Sequence, residues 1–341
     1  MSVFEAVADL ELAIDGYRLE RREEEVSSEF RRVTTTVVVT GKGLDGRGED
    51  VTYDPEDHDH YPHLDLVGRR TLAELSASLE GVDLFPSGEP GFAASREYRR
   101  WAVESAVFDL ALRQARTSLG EAIGREYRPV RFVMSTRQDP FAWLAIDETL
   151  EFKLDPTGDW TREFMEALAG ADCVRVLDLK AYYPSSAVEH TEDVALYEAV
   201  RDLFPTAIIE DASLAPEMRA VLESAGDRLS FDAPIHSIAD IESLDIEPRC
   251  LNIKPSRFGT IERLLDTLDW CEERGLMLYG GGQFELGVGR DQLHTVASLF
   301  YPDGPNDVAP REYNGPYVQA GLPRSPLEPS PTPVGLTFGS A

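Results

Sequence analysis

Lysine is rare in this chain, and it is kept at positions where chemistry could use it. The sequence contains four lysines, Lys42, Lys153, Lys180 and Lys254, against 29 arginines. The last three lie at the ends of predicted strands. Because an ammonium adjusts its pKa to its surroundings while a guanidinium stays charged, this pattern indicates groups that exchange protons. The alternative is that these lysines are chance remnants beside structural ion pairs.

The segment from Leu251 to Gly259 shows this best. Strand alternation places Asn252 and Lys254 on one face, and Pro255 and Gly259 then end the strand and turn the chain. Lys254 is therefore predicted where a strand gives way to a loop.

Three carboxylates occupy equivalent positions on other predicted strands. Asp178, Glu210 and Asp232 each end a strand, and the three strands follow one another in the chain. Such residues would converge into an oxygen-ligand site for a hard dication such as Mg²⁺. Lys153 and Lys254 would flank the ion, which suits removal of a proton next to a carboxylate by a lysine of lowered pKa. Any one of these carboxylates alone would more often be a salt bridge or a helix cap.

The elements that must position these residues alternate along the second part of the chain. Helical patterns separate most of the short apolar strands, and eight βα steps in a row favour a parallel barrel, whose active site lies at the carboxyl ends of its strands. The predicted strands are Val130–Ser135, Thr149–Leu154, Cys173–Leu179, Ala207–Glu210, Leu229–Asp232, Cys250–Lys254, Leu276–Tyr279 and a weak one at Asp307–Ala309.

The first part of the chain predicts an α+β unit. A β-branched run, Val33–Thr40, and turn signals at 41–46 indicate a small antiparallel sheet, with a charged connection at Arg21–Phe30. Helices are predicted at Thr71–Glu80 and at Ser95–Ser118, the second ended by Gly120. The Pro-rich stretch from Tyr313 to Ala341 is expected to pack as an extended tail and to fray at its end.

A polar loop, Asp54–His63, carries three of the six histidines. His58, His60 and His63 beside Asp57 and Asp59 could bind a transition metal. The loop lacks the regular spacing that would fix metal ligands, so an exposed acidic loop is the favoured interpretation.

The composition excludes several classes of partner. The 62 acidic and 33 basic residues give a formal charge of −29, spread along the chain, which would repel nucleic acid and anionic membranes. An acidic coat suited to a salt-rich, halophilic cytoplasm explains it better than acidic patches for basic partners. The cysteines Cys173, Cys250 and Cys271 are expected to be small buried hydrophobes. With no signal peptide or membrane span in the pattern, we expect a cytoplasmic protein.

The order and spacing of these motifs resemble the enolase superfamily, specifically its muconate-lactonizing-enzyme subgroup, which includes o-succinylbenzoate synthases and dipeptide epimerases. This superfamily is itself a known example of a lysine or histidine base working with Mg²⁺. The resemblance implies an α/β fold, a (β/α)7β TIM-type barrel at 126–312 with an N-terminal α+β capping domain at 1–125 and a tail at 313–341 that returns to the cap.

The site residues carry over one by one. Lys153 in Glu151-Phe152-Lys153 is similar to the catalytic lysine of the family's Lys-x-Lys strand, and Lys254 matches the lysine of the sixth strand. Asp178, Glu210 and Asp232 look like the Mg²⁺ ligands. The substrate-binding candidates are Ser135, Lys180, Asn252 and Glu285, the last in the Gly-rich segment 282–290.

Three positions depart from the family pattern. Lys180 stands where asparagine is common, Ala233 where glutamate follows the third ligand, and Glu151 where the outer lysine would be. Lys180 would lie near the metal or a substrate anion, or would form an ion pair with Glu151 or Glu210.

The resemblance implies a Mg²⁺-dependent isomerase or lyase. Such an enzyme takes a proton α to the carboxylate of a small molecule and then racemises, cycloisomerises or dehydrates it by syn elimination. An o-succinylbenzoate-synthase-like or epimerase-like activity is preferred, with cap segments Arg21–Phe30 and Asp54–His63 over the pocket. Tyr182 and Tyr183 would contact substrate or pack under the cap. A non-catalytic metal-binding relative and a Schiff-base lyase using Lys254 or Lys180 are the alternatives. The sequence is also compatible with a homo-oligomer.

Overall fold

The protein is described by a computed structural model that covers residues 2–26, 31–183 and 191–339. Two antiparallel sheets and a set of helices form the N-terminal part. Its strands are β1 (Glu11–Ile14), β2 (Gly16–Glu25), β3 (Arg31–Gly41), β4 (Leu44–Asp50) and β5 (Gly68–Thr71). Its helices are α1 (Leu72–Ser78), α2 (Ser95–Ala115) and α3 (Leu119–Ile123).

The strands β2, β3 and β4 form the predicted antiparallel sheet, and β1 pairs with β5. Helix α2 lies against β4 so closely that a Cβ atom on Gly46 would come within 2.3 Å of the Ala106 carbonyl oxygen, and one on Gly48 within 2.1 Å of that of Ala102. Gly46, expected in a turn, is therefore a strand residue that lets the helix approach; the turn lies at Lys42 and Gly43.

Two further expectations for this part were wrong. Residues 21–25 belong to strand β2, because each of them pairs with β3, and do not form a connection; 27–30 lie outside the described residues. Helix α2 ends at Ala115, where Arg116 adopts a left-handed conformation with φ 57°. Gly120 lies inside α3, which Ser118 and Glu121 start with a capping box.

The second part is a parallel sheet of seven strands with helices between most of them. The strands are β6 (Met134–Ser135), β7 (Phe152–Leu154), β8 (Val174–Asp178), β9 (Ile208–Glu210), β10 (Leu229–Phe231), β11 (Cys250–Ile253) and β12 (Met277–Gly280). The helices are α4 (Pro140–Leu144), α5 (Arg162–Ala171), α6 (Val194–Leu203), α7 (Pro216–Leu222), α8 (Ile238–Glu242), α9 (Pro255–Phe258), α10 (Ile261–Glu273) and α11 (Val288–Phe300).

The sheet is curled, and its strands neighbour one another in chain order from β6 to β12. The eighth strand predicted at Asp307–Ala309 is not formed. Isolated bridges replace it: Asn306 pairs with Phe132 beside β6, and Asp307 pairs with Gly281 beside β12. The two edges of the sheet thus meet the same short segment.

The C-terminal stretch packs along the molecule through isolated backbone contacts. Leu327 bridges to Val130 and Gly335 to Ser118. The backbone N–H of Leu336 donates to Asp109 of α2 over 2.8 Å, so the tail returns to the N-terminal part. Residues 340 and 341 lie outside the described residues.

The histidine loop is largely exposed, as expected, with His60 and His63 at the surface, and it contains a short 3-10 helix at Glu56–Asp59. His58 is buried in it and lies 3.0 Å from Thr35 Oγ1 and 2.9 Å from the Thr52 carbonyl oxygen, which accounts for both ring nitrogens. The three cysteines are free and buried, as expected. None of the helices in the described residues combines the length and apolarity that a bilayer-spanning segment needs.

Candidate active site

Five neighbouring strands carry, in order, a lysine, three carboxylates and a second lysine. Lys153 lies in β7, Asp178 and Glu210 end β8 and β9, and Asp232 and Lys254 directly follow β10 and β11. Because adjacent parallel strands end at the same edge of a sheet, these five side chains meet there. Asp178 and Glu210 are direct register partners.

The three carboxylates form a compact donor set. Asp178, Glu210 and Asp232 are completely buried, and each offers an oxygen atom within 4.8 Å of the others. Among the described residues this is the only group of three or more histidine, cysteine or acidic side chains that is close enough to hold a metal ion. Three carboxylate oxygens suit a hard dication such as Mg²⁺, so these residues fit the predicted ion.

The flanking lysines contact this carboxylate group directly. Lys153 Nζ lies 3.0 Å from Asp178 Oδ2, bonds Glu210 and is 3.6 Å from Asp307; Lys254 Nζ lies 2.8 Å from Asp232 Oδ2. Burial disfavours both ammonium groups, but the carboxylates outweigh it and raise the pKa of each lysine. This direction is opposite to the lowered pKa expected from the sequence.

Glu210 is held from below by neutral donors. Asn252 Nδ2 donates to Glu210 Oε2 over 3.2 Å, and the Tyr279 hydroxyl also donates to that oxygen. Burial, opposed by Lys153, raises the pKa of Glu210. The Tyr279 ring packs in a small apolar cluster with Val176, Ile208 and Cys250, which forms the floor of the site. Sequence reasoning missed Tyr279 because the apolar strand pattern gave no reason to single out its hydroxyl.

Asp232 is enclosed by two further side chains. Arg257 Nη1 lies 2.9 Å from Asp232 Oδ1, and the Tyr183 hydroxyl donates to Asp232 Oδ2 over 3.2 Å. Burial opposes ionisation, but Arg257 and Lys254 outweigh it and lower the pKa of Asp232. Arg257 was not predicted, although helix α9 starts at Pro255 and brings it back to the side of Lys254.

Asp178 is surrounded by two lysines. The Lys180 backbone N–H donates to Asp178 Oδ1 over 3.1 Å, and the Lys180 ammonium bonds Asp178 Oδ2. These contacts and Lys153 lower the pKa of Asp178 although burial opposes ionisation. The described ion pairs of Lys180 are with Asp178 and Asp155, and not with Glu151 or Glu210 as the sequence suggested.

Asp211, a charged residue at the end of the same strand as Glu210, had no role assigned to it from the sequence. It follows Glu210 with a positive φ of 48°, and its carboxylate accepts the backbone N–H groups of Asp232 and Ala233 over 2.8 and 3.0 Å. Burial, together with Asp232 and Asp178, raises the pKa of Asp211 to about 7. It fixes the backbone on which Asp232 stands.

The remaining candidate residues have different neighbours in the structure. Ser135 is the register partner of Lys153 on β6. Asn252 Oδ1, buried beside Glu210, accepts no hydrogen bond from the described residues. Glu285 accepts the Gln283 N–H and lies 3.1 Å from Arg290 Nη2. Tyr182 is 39% exposed and packs its ring edge on Phe231.

The N-terminal part reaches the site through the loop after β12. Arg32 is buried and donates to the Gln283 carbonyl oxygen over 2.9 Å, and the Tyr53 hydroxyl donates to the Gln283 side chain over 2.8 Å. Glu49 accepts the backbone N–H groups of Leu286, Gly287 and Gly289 over 2.7 to 3.0 Å. These bonds tie the N-terminal part to the Gly-rich segment.

Comparison with solved structures confirms the predicted resemblance to the enolase superfamily. A superfamily member from Listeria innocua Clip11262 superimposes with a TM-score of 0.66 at 18% identity, covering 88% of this chain and 86% of its own. A dipeptide epimerase from Methylococcus capsulatus complexed with Mg ion gives a TM-score of 0.64 at 18% identity, covering 85% and 88%. The curled sheet and its helices are thus an enolase-superfamily fold.

Within that fold, the sequence matches the models of the Domain of unknown function (DUF8230), whose N-terminal domain covers residues 5–122 and whose C-terminal domain covers 126–315. The chain belongs to this DUF8230 family.

Two o-succinylbenzoate synthases match part of the chain at low sequence identity. The o-succinylbenzoate synthase of Bacillus subtilis (strain 168) is 25% identical over 259 residues, and that of Enterococcus faecalis (strain ATCC 700802 / V583) is 26% identical over 226 residues. The matches cover 66% and 62% of this chain, and 63% and 60% of the relatives' own lengths.

Proposed function

We propose that the curled sheet closes into a (β/α)7β barrel around the 306–307 segment, and that its carboxyl edge is the active site of a Mg²⁺-dependent enzyme that removes a proton α to a substrate carboxylate. The observation that carries this proposal is the row Lys153, Asp178, Glu210, Asp232, Lys254 on five consecutive strands. A metal-binding group flanked on each side by a lysine is what such chemistry requires.

The side chains have separate roles in this proposal. Asp178, Glu210 and Asp232 would hold the dication, which stabilises the negative charge that develops on the substrate carboxylate when the α-proton leaves. Lys153 and Lys254 are the proton-transferring groups. The pKa of each lysine is raised by the carboxylates. Positive charge bound by the same carboxylates would oppose that shift.

Two lysines permit two outcomes after proton removal. In epimerisation, the lysine on the opposite face returns a proton to the same carbon. In syn elimination, one lysine takes the α-proton and returns it to a β-hydroxyl on the same face, which leaves as water, while the other lysine stays charged and offsets the negative charge that develops on the substrate. The o-succinylbenzoate synthases among the relatives favour elimination, and the dipeptide epimerase neighbour favours epimerisation. We place elimination first because three curated synthases match the sequence.

The test is proton exchange followed by NMR. The protein is incubated in D₂O with Mg²⁺ and concentrated KCl, together with pooled carboxylates: the hydrated precursor of o-succinylbenzoate, N-succinyl amino acids, dipeptides and sugar acids. We expect one compound to lose its α-proton signal, and we expect EDTA to stop the loss. Exchange that continues at the same rate in EDTA would rule out the metal-dependent mechanism.

A non-catalytic metal-binding protein is the second candidate, and two observations favour it. Lys180 bonds Asp178, the first of the three candidate ligands, and Ala233 offers no carboxylate beside the third. Folded protein that binds Mg²⁺ and exchanges no proton in any compound of the pool would support this second role.

A further inference from the structure

Asp178 is the candidate ligand that Lys180 contacts at both carboxylate oxygens. Lys180 bonds Asp178 Oδ1 through its backbone N–H and Oδ2 through its ammonium. Lys153 Nζ adds a contact of 3.0 Å to Oδ2. A dication that uses Asp178 therefore competes with the Lys180 ammonium for the same oxygen atom.

A second place for this ammonium lies beside it. Asp155 Oδ1 is buried, is 3.5 Å from Lys180 Nζ, and accepts no hydrogen bond from the described residues. The other oxygen of Asp155 lies 3.6 Å from an exposed arginine, Arg137. A shift of less than 1 Å would bring the ammonium within hydrogen-bond distance of Asp155 Oδ1.

The neighbouring cations are held differently. Lys153 is also 3.6 Å from Asp307, outside the group of three, but it bonds Glu210 as well as Asp178, so leaving Asp178 keeps it inside the group. Arg257 is fixed to Asp232 and Tyr183. Lys180 has one carboxylate partner inside the group, Asp178, and its other ion-pair partner, Asp155, lies outside it. The Lys180 backbone adopts a left-handed conformation with φ 57°. A change of partner from Asp178 to Asp155 would therefore involve movement of the side chain and not of the backbone.

We propose that Lys180 is an exchangeable counter-ion of the metal site. It neutralises Asp178, and it moves to Asp155 when a divalent cation binds. The affinity for the dication is then set by the difference between these two ion pairs. This inference rests on the proposed metal site and adds to it a residue that controls occupancy.

The experiment measures Mn²⁺ affinity directly, from the EPR signal of the free ion at constant pH and in concentrated KCl. Lys180→Met keeps the length of the side chain and removes its charge, and should bind Mn²⁺ about tenfold more tightly than the wild type. Asp155→Asn removes the second partner and should bind it several-fold more weakly. Lys42→Met, the same change at an exposed turn, is the matched control and should leave the affinity unchanged.

The outcomes separate the two proposals. An affinity of Lys180→Met within about twofold of the wild type, or weaker, overturns the exchange role. If that variant does not fold, judged by its thermal unfolding, Asp155→Asn decides: unchanged or tighter binding overturns it. If neither the wild type nor any folded variant binds Mn²⁺, the metal site itself is wrong and the exchange role falls with it. Binding by Lys180→Met alone supports both.

Discussion

Two charge clusters lie only two residues apart at the start of strand β7, one at Glu151 just before the strand and one at Lys153 within it, and they use different cations. At Glu151 the carboxylate lies between Arg131 and Arg175, with three N–O distances of 2.6 to 2.7 Å. At Lys153 the ammonium lies among Asp178 and Glu210. The Glu151 side chain is 20% exposed, whereas the side chains of Lys153, Asp178 and Glu210 are at most 1% exposed. The first cluster is arginine around one carboxylate, and the second is lysine among several.

The difference follows from what each cation can do. A guanidinium stays charged and grips a carboxylate through two parallel hydrogen bonds, which suits a fixed structural contact. An ammonium is compact, moves easily and changes its pKa with its surroundings, which suits proton transfer and exchange between partners. In a chain with 29 arginines, lysine persists in the cluster proposed to do chemistry. The next four experiments test this division of labour.

Lys254→Met should have the largest effect. It removes one proton-transferring group, while Arg257 still balances the charge of Asp232 at 2.9 Å, so the fold should persist. We expect the rate of α-proton exchange to fall about 10³-fold. The measurement is NMR exchange with the compound identified in the carboxylate pool. An undiminished rate in this variant would remove Lys254 from the proposed chemistry.

Glu151→Lys should damage the fold and spare the site. The substitution would create the Lys-x-Lys pattern of the muconate-lactonizing-enzyme subgroup that the sequence resembles. It would also place a third cation between Arg131 and Arg175. We expect the free energy of unfolding to fall by about 3 kcal/mol. Mn²⁺ affinity should stay the same. A large change in that affinity would mean that the two clusters are not independent.

Glu151→Gln should give a smaller loss that depends on pH. Burial opposes ionisation, but the two arginines outweigh it and hold the pKa of Glu151 below its ordinary value of 4.5. A lowered folded-state pKa stabilises the protein fully above that ordinary value, and the contribution is lost as pH falls through the folded pKa. In urea unfolding at pH 7, the free energy of unfolding of the wild type should exceed that of the variant by about 1–2 kcal/mol. The gap should close below pH 4.5; a constant gap would contradict the ionic explanation.

Arg128→Gln should have the smallest effect. Arg128 pairs with Asp303 over 2.8 Å, but their side chains are 57% and 78% exposed. Solvent and salt screen such a pair, so the free energy of unfolding should change by less than about 0.5 kcal/mol. The same urea titration measures it. A loss as large as that of Glu151→Gln would show that arginine pairs stabilise this protein regardless of burial.

The elements and the five aligned residues could be predicted from sequence because each depends on local pattern. Strand alternation placed Asn252 and Lys254 on one face, and helical periodicity predicted the existence of α2, all of whose residues from 101 to 112 are buried. The pattern could not show where the partners of a charged residue would come from. Asp155 and Arg257 reach the site through loop and helix geometry, and the position of Lys180 between two carboxylates depends on a left-handed backbone turn.

The predicted eighth strand shows that local pattern can also indicate an element that does not form. Asp307–Ala309 had the composition of a weak strand, yet the segment contributes only isolated bridges to the sheet edges. Gly46 was misjudged because a glycine in a turn and a glycine under a helix look alike in sequence. In both cases, the deciding factor is a neighbour distant along the chain.

The hydrogen bonds between Glu49 and the segment 286–289 limit which parts of this protein can be exchanged with those of a relative. Cβ atoms added at Gly287 and Gly289 would lie 3.2 and 2.9 Å from Glu49 Oε2, so glutamate and glycines must be inherited together. A chimaera that joins a foreign N-terminal part to this parallel sheet would lose the acceptor for three backbone N–H groups beside the site, unless residue 49 were transplanted with its partners. Laboratory evolution of the proposed activity should therefore diversify the loops of the N-terminal part while keeping Glu49, Gly287 and Gly289 constant.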